Sequence, residues 1–172
     1  MRSLLLAAVL LAAGCGRRDS GASVDYRAAA GRFRARLPGN WRADETPGDT
    51  RRAALYGPPD GLKPFSQLIG VYFHSAGDPE AAAHAYLASA ASGPAVPPRE
   101  VAAGSRRGFE VVEERRIPGL EMKPETVEVR TVAVPAAGGF FTLEHTRPAG
   151  SAASPAFDEL VRTFEPSAAA PK

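Results

Sequence analysis

The chain has 172 residues, a length typical of a single domain, and its composition excludes several classes of protein. Lysine and arginine number 21 against 19 acidic residues, a net charge of +2, and the charges are interspersed, which argues against a nucleic-acid-binding protein. The single cysteine cannot form a disulfide within the chain.

The first element in the chain is an N-terminal leader. Met1, Arg2 and Ser3 give it a positively charged start, and residues 4–13 form an unbroken apolar run. A membrane-spanning helix needs about 20 apolar residues, so this run is too short to be one. A charged start, a short apolar middle and then small residues are typical of a secretory signal peptide. We therefore predict a signal peptide at residues 1–14.

The end of this leader resembles the lipobox of bacterial lipoproteins. Ala12, Ala13 and Gly14 are small residues that precede Cys15, although leucine is commonest where Ala12 stands. The resemblance implies cleavage before Cys15 and attachment of lipid chains such as palmitate to its thiol. Two or three acyl chains anchor a protein stably, whereas one alone binds only marginally. The alternative is an ordinary secreted protein with one unused thiol.

The remaining boundaries follow from composition. Residues 15–24 are predicted to be the lipidated cysteine and a flexible spacer, and residues 167–172 a disordered tail. A single domain is then expected at residues 25–166. Gly16, and not the aspartate that retains many lipoproteins in the inner membrane, follows the cysteine. By that analogy we expect the periplasmic face of the outer membrane.

Three strands are predicted in the first half of this domain. Residues 31–38 alternate apolar and charged side chains, as a strand with one buried face does. The alternating residues are Phe33, Ala35 and Leu37 on one face and Arg32, Arg34 and Arg36 on the other. Residues 52–57 form a second, short strand. Residues 67–74 are apolar on both faces, which is typical of a central strand covered on both sides.

Two helices and three more strands complete the prediction. Asp78 before Pro79 is typical of a helix start, and the helix is expected to run to about residue 91. Strands follow at residues 107–117, 125–134 and 139–147, with the last two forming a hairpin. Ser154 is predicted to cap a final helix. Its apolar stripe is Phe157, Leu160, Val161 and Phe164.

This order of elements predicts an α+β fold, an antiparallel sheet with helices packed on it. The stretches "LPGNW", "LIGVYF" and "FFTLEHTRP", with the closing "SPAFDELVRTFEP", resemble PsbP-like domains over about residues 25–166. The resemblance implies an α/β/α sandwich and a role as an accessory or binding module. It matches Trp41, Phe141, Phe157 and Phe164 to the family's aromatic core positions.

Catalytic and metal-binding motifs are absent from the sequence. The chain contains no Gly-x-Ser-x-Gly nucleophile elbow and no His-Glu-x-x-His zinc motif. His74 and His145 lie on predicted strands and are weak candidates for a shared metal site, if they converge across the sheet. The alternative is that each is a hydrogen-bonded residue near a strand end. We therefore expect no enzyme activity, no cofactor and no metal.

The stripe of Arg32, Arg34 and Arg36 is the one candidate binding surface. Each arginine that faces an anionic membrane contributes about 1 kcal/mol to binding. The alternative, which we favour, is cross-strand pairing with glutamates on a neighbouring polar face. The candidate partners for that pairing are Glu110, Glu114 and Glu128.

The sequence as a whole predicts a membrane-tethered lipoprotein of the cell envelope. Its domain is expected to act as a non-catalytic accessory or protein-binding module, with a protein of the envelope as its partner. The lipid bilayer is the second expected partner, through Cys15, and no nucleic acid is expected. The alternative function is the binding of a small ligand or a metal ion.

Overall fold

The structure is a computed structural model, and it describes residues 22–28, 32–45, 52–61, 66–90, 97–118 and 124–168. Within these ranges the chain forms ten strands and two helices. In chain order they are β1 (Ser23–Arg27), β2 (Phe33–Pro38), β3 (Arg42–Asp44), β4 (Arg52–Tyr56), β5 (Leu68–Ser75), α1 (Pro79–Ala90), β6 (Arg99–Ala103), β7 (Arg106–Pro118), β8 (Pro124–Ala136), β9 (Gly139–Pro148), α2 (Pro155–Thr163) and β10 (Glu165–Pro166).

The strands form two antiparallel sheets. The large sheet has seven strands in the order β3-β4-β5-β9-β8-β7-β6, and the small sheet has three in the order β1-β2-β10. The long hairpin β8–β9 lies within the large sheet, with Val132 opposite Leu143, and its turn contains Gly138 at a φ of 74°. The predicted hairpin between residues 125–134 and 139–147 is therefore confirmed.

The small sheet depends on the alternation in β2. Phe33, Ala35 and Leu37 are buried, whereas Arg34 and Arg36 are exposed. β1 pairs with β2 along its whole length on one side, and the two residues of β10 pair with it on the other. The apolar face of β2 thus becomes the inner face of the small sheet, and the arginines point away from the core.

The larger of two cores lies between the inner faces of the sheets. Phe33 from β2, Phe141 from β9 and Phe164 after α2 are at most 2% exposed, with ring centroids 5.1–5.9 Å apart. Aromatic pairs at such distances contribute about 0.5–1.5 kcal/mol beyond their buried area. Trp41 packs against this core, as expected.

Helix α2 closes one side of this core. Ser154 Oγ accepts a hydrogen bond from the Phe157 amide at 3.2 Å, which is the predicted N-cap. Phe157, Leu160 and Val161 are at most 5% exposed, so the predicted apolar stripe is confirmed. The helix ends one residue before Phe164, which completes the stripe from just outside it.

Helix α1 covers part of the other face of the large sheet. Asp78 Oδ1 accepts a hydrogen bond from the Ala81 amide at 3.1 Å, which confirms the predicted start of the helix. Leu87 is fully buried in a second, smaller core that includes Phe109 from β7 and Phe140 from β9. Because α1 is rich in alanine, it packs closely on the sheet but buries few large side chains.

One glycine joins the edge of the large sheet to the end of helix α2. Gly104, in the turn between β6 and β7, has a φ of 57°, and its amide donates to the Val161 carbonyl at 3.0 Å. A Cβ atom there would lie 2.1 Å from the Phe164 carbonyl oxygen. Only glycine combines this backbone angle with so close an approach.

The position of β5 partly agrees with its prediction. It lies inside the large sheet between β4 and β9, and Ile69, Val71 and Phe73 are buried on its inner face. Its other face is less covered, since Leu68 is 39% exposed and Tyr72 is half-buried. The expectation of cover on both sides is therefore wrong, because α1 packs mainly on β7, β8 and β9.

The predicted α+β fold class, with its α/β/α sandwich, is also wrong. Of the described residues, 58% lie in strands and 17% in helices, so the fold is mainly β. Among the described residues, α1 alone packs on one face of the large sheet and covers part of it, and the other face is covered by the small sheet together with α2. The physical reason is that β1 and β10 both pair with β2, so the three strands form a second β layer where the sandwich requires helices.

Candidate functional site

The predicted arginine stripe is divided by the structure. Arg34 and Arg36 lie on β2 with side chains 64% and 47% exposed, respectively. Arg32 precedes the strand and is only 3% exposed, with its Nη2 2.8 Å from Glu45 Oε2. Arg32 is therefore a structural residue and not part of a binding surface, because the alternation of exposed positions ends where the strand begins.

Arg34 and Arg36 line a groove of about 550 Å³ on the outer side of the small sheet. We call this feature the arginine groove. It lies between β1, β2, the end of α2 and the turn that holds Gly104. Its charged lining residues are Arg27, Arg34, Arg36, Arg162, Asp25 and Glu165.

Strand register explains how the arginine groove is assembled. Arg27 lies directly opposite Arg34, and Glu165 flanks Arg34 on the other side. Arg34 Nε donates to Glu165 Oε2 at 2.8 Å, whereas no ion pair of Arg27 is found within the described ranges. Two like charges on facing strands repel each other, which favours an anionic ligand between them.

The second row of the groove holds Arg36. Its Nε is 3.7 Å from Asp25 Oδ1 and its Nη1 is 3.9 Å from Glu159 Oε1, both long for an ion pair. Glu159 also accepts from Arg162 Nε at 3.1 Å. Four arginines thus face three carboxylates, and the groove keeps a positive charge.

The glutamates predicted to pair with the stripe lie elsewhere. Glu110 binds Arg99 and Arg130, and Glu128 binds Arg147, all within the large sheet. Glu114 lies opposite Glu128 in the same sheet. The prediction that Arg32, Arg34 and Arg36 pair with these glutamates is therefore wrong. The stripe belongs to the small sheet, where its carboxylate partners are Glu45, Glu165 and the more distant Asp25 and Glu159.

His74 and His145 lie on opposite faces of the large sheet and do not converge. Ile69 is opposite His145, whereas His74 is opposite Phe140. Because side chains alternate along a strand, this register sends the two imidazoles to different cores. The described part of the chain contains no group of three or more residues that could hold a metal ion. The idea that His74 and His145 converge across the sheet is therefore wrong.

His74 belongs to a polar cluster beneath α1. Its Nε2 is 3.1 Å from Thr142 Oγ1, and its ring stacks on Phe140 at 4.8 Å. Tyr86 from α1 donates to Glu144 Oε1 at 2.8 Å. Burial lowers the pKa of His74, and burial together with the Glu144 hydrogen bond raises the pKa of Tyr86 to about 12. Both groups are therefore neutral near pH 7 and act as hydrogen-bonding partners that fix α1 on the sheet.

Several predicted features lie outside the described residues. They include Cys15, the signal peptide at residues 1–14, and most of the spacer and tail. The first strand begins at Ser23, two residues before the expected domain boundary, and Ser167 donates from its amide to the Arg32 carbonyl at 2.7 Å. Among the residues that the structure describes, no helix is long and apolar enough to cross a bilayer.

Sequence reasoning missed Arg27 and Arg162 as part of the groove. Arg27 ends a short segment next to the spacer, residues 23–27, in which polar and apolar residues alternate. This alternation is the sequence signal that indicates strand β1. Arg162 lies on the polar side of α2, where it could be placed in the helix but not against β2.

Comparisons with known proteins bear on the fold alone. No family model matches the chain, and no curated protein matches it. Ten chains of solved structures are similar. One is a protein of Bacteroides thetaiotaomicron, with a TM-score of 0.60 and 14% identity over 83% of this chain. The present chain spans about half of that structure, 48% of its length. At this identity the likeness extends to the fold and leaves function open.

Proposed function

We propose that this chain is a lipid-anchored protein of the bacterial cell envelope whose domain is a non-catalytic accessory module. The anchor is Cys15, and the bound partner is an acidic segment of another envelope protein. The observation that carries the proposal is the arginine groove, where Arg27, Arg34, Arg36 and Arg162 meet on an exposed face. Guanidinium groups bind carboxylates through paired, charge-assisted hydrogen bonds, so such a groove suits an acidic segment.

The exposure of the groove supports exchange of ion-pair partners. The Glu165 side chain is 39% exposed and that of Asp25 is 94% exposed, so both are well solvated. Exposed ion pairs contribute only about 0–1 kcal/mol. A partner carboxylate can therefore replace Glu165 or Asp25 at little cost and add the contact that Arg27 lacks among the described residues.

The arginine groove lies close in sequence to the proposed lipid anchor at Cys15. The groove is built on β1 and β2, and β1 begins at Ser23, eight residues after Cys15. Eight residues span at most about 30 Å in any conformation. A lipid on Cys15 would thus keep the groove close to the membrane surface, where it would meet partners held in the same membrane.

The tether is tested by the single substitution Cys15→Ser. The wild-type chain is expected to incorporate labelled palmitate and to sediment with outer membranes on a density gradient, because its lipid anchors it. The variant is expected to lose the label and the membrane association. Equal membrane association of the two chains would contradict the anchor, and recovery in inner membranes would contradict the predicted location.

The binding role is tested by in-cell crosslinking with matched charge reversals. Arg34→Glu with Arg36→Glu reverses two charges in the groove, and Arg106→Glu with Arg116→Glu reverses two exposed charges on β7. We expect a discrete protein adduct that the groove variant loses and the β7 variant keeps. Equal adducts in both variants would contradict the groove as the binding surface. Loss of binding to anionic vesicles without any protein adduct would assign the groove to lipid headgroups.

A further inference from the structure

A second, separate cavity lies at the far end of β9. It has a volume of about 220 Å³ and lies between the end of β9, the residues just before β5 and the N-terminal end of α2. His145 and Arg147 line it from β9, Gln67 from the segment before β5, and Ser151 and Ser154 from the loop before α2. It shares no residue with the arginine groove.

Two polar atoms at this cavity lack a hydrogen-bond partner. They are His145 Nε2 and Arg147 Nη1, and both are buried with no acceptor or donor in reach among the described residues. His145 is only 3% exposed. The two residues stand at i and i+2 on one strand, so their side chains share a face. Buried polar atoms are normally paired with protein, water or a ligand, so two unpaired atoms on residues that line one cavity call for a partner there.

The surroundings of these atoms fix their positions. The His145 ring stacks on Phe157 with centroids 5.4 Å apart. Arg147 Nε donates to Glu128 Oε1 at 2.8 Å, and Nη2 contacts the same oxygen, which leaves Nη1 directed away from that pair. The two nitrogen atoms are therefore held in place before any ligand arrives.

The charges around the cavity select the class of ligand. Burial, and then the charges of Arg147 and Arg130, lower the pKa of His145 to about 4, so the imidazole is neutral near pH 7. One guanidinium already shared with Glu128 and one neutral imidazole offer two hydrogen-bond donors but little net positive charge, which disfavours a dianion such as phosphate. A metal cation would meet the positive charge of Arg147. A carboxylate carries a single negative charge, and its two adjacent oxygens can each accept a hydrogen bond from one of these donors.

We propose that this cavity binds a small carboxylic acid in its ionised form. One carboxylate oxygen accepts from Arg147 Nη1, and the other accepts from the Nε2–H tautomer of His145. The hydroxyl of Ser151, which donates to the Pro148 carbonyl at 2.7 Å, keeps lone pairs for a polar substituent of the ligand. The volume admits an acid with a short substituent. The site does not depend on the function of the arginine groove.

The three histidines of the chain allow a direct test. The imidazole signals of the full-length protein in detergent micelles are followed by NMR during titration with sodium acetate, with sodium chloride at equal ionic strength as the control. His145→Gln identifies the His145 signal. We expect acetate to shift that signal saturably at millimolar concentrations or below. The signals of His74 and His84, which lie on the other face of the sheet, are expected to stay in place.

Two variants separate a specific site from a general salt effect. Arg147→Gln is expected to weaken acetate binding by about tenfold or more, because it removes a charge-assisted hydrogen bond. Arg107→Gln, an exposed arginine outside the cavity, is expected to leave the affinity unchanged. Unmoved His74 and His84 signals show that the variants are folded. No saturable shift, equal shifts of all three histidines, or full affinity in Arg147→Gln would each overturn the proposal.

Discussion

In the large sheet two arginines lie against one carboxylate that is itself buried, whereas in the small sheet arginines line a groove open to solvent. Glu110 has a side chain 1% exposed and binds both Arg99 and Arg130. Arg34 and its partner Glu165 have side chains 64% and 39% exposed. A buried carboxylate needs its arginines in order to stay charged, while an exposed pair contributes little to folding. The same residue type therefore stabilises the large sheet, and under our proposal it provides the binding surface of the small one.

The largest effect is expected where the buried carboxylate loses its partner. Arg130 Nε lies 2.5 Å from Glu110 Oε1, and its guanidinium lies 4.9 Å from the Phe157 ring. We expect Arg130→Met to lower the free energy of unfolding by about 3 kcal/mol, measured by urea denaturation, because Glu110 is left buried with less compensation. Arg34→Met is the matched control and is expected to cost less than about 1 kcal/mol. Equal losses of unfolding free energy in Arg130→Met and Arg34→Met would contradict the difference between the two sheets.

A smaller effect is expected inside the predicted stripe itself. Arg32→Gln is expected to cost about 2 kcal/mol, since it removes a buried ion pair with Glu45. Arg36→Gln, four residues further on the same segment, is expected to change stability by less than about 0.5 kcal/mol. Urea unfolding of the two variants measures this difference. Arg32→Gln as stable as the wild type would show that the buried arginine contributes nothing to the fold.

The pH dependence of stability tests the burial of His145 on the inner face of the large sheet. Because the pKa of His145 falls from 6.5 to about 4 on folding, the unfolded chain takes up a proton in that range and the folded chain does not. The contribution of this residue to stability is thus fully present above about pH 6.5 and is lost as the pH falls to about 4, by roughly 3 kcal/mol.

The variant His145→Gln isolates that contribution. Chemical denaturation at pH 7 and pH 4 is expected to show a smaller acid-induced loss in the variant than in the wild type. The charged groups nearest His145 are Arg147, Arg130, Asp158 and Glu128, and they remain in both chains. Identical acid-induced losses would contradict the lowered pKa.

Removing the two exposed charges of the arginine groove is expected to have the smallest effect on stability and the largest effect on binding. Arg34→Gln with Arg36→Gln removes two exposed charges and is expected to cost less than about 1 kcal/mol in urea unfolding. The same variant is expected to lose most of its crosslinked partner in cells. A loss of stability as large as that of Arg130→Met would mean that the groove holds the fold together.

Local features of this fold could be predicted from the sequence, and pairings between distant segments could not. The caps at Asp78 and Ser154 and the alternation in β2 depend on residues within a few positions of each other. The small sheet depends on Glu165 lying opposite Arg34, far away in sequence, so no local pattern indicated it. This is why the predicted α/β/α sandwich is wrong while most of its individual elements are confirmed.

The candidate sites show the same contrast between local patterns, which the sequence reveals, and distant pairings, which it does not. Alternation placed Arg34 and Arg36 on one face, but the burial of Arg32 depends on Glu45, which the strand pattern does not include. Whether His74 and His145 meet depends on the register between β5 and β9. That register is set by the whole sheet, and it places the two imidazoles on opposite faces.

Site-specific photocrosslinking in cells tests the central claim most directly. A photoreactive residue replaces Arg27 in the arginine groove of the full chain, or Arg116 on β7 as the matched exposed position. We predict one discrete protein adduct from position 27, absent from position 116 and abolished by Arg34→Glu with Arg36→Glu. An adduct of equal strength from both positions, or none from position 27, would contradict the arginine groove as a protein-binding site.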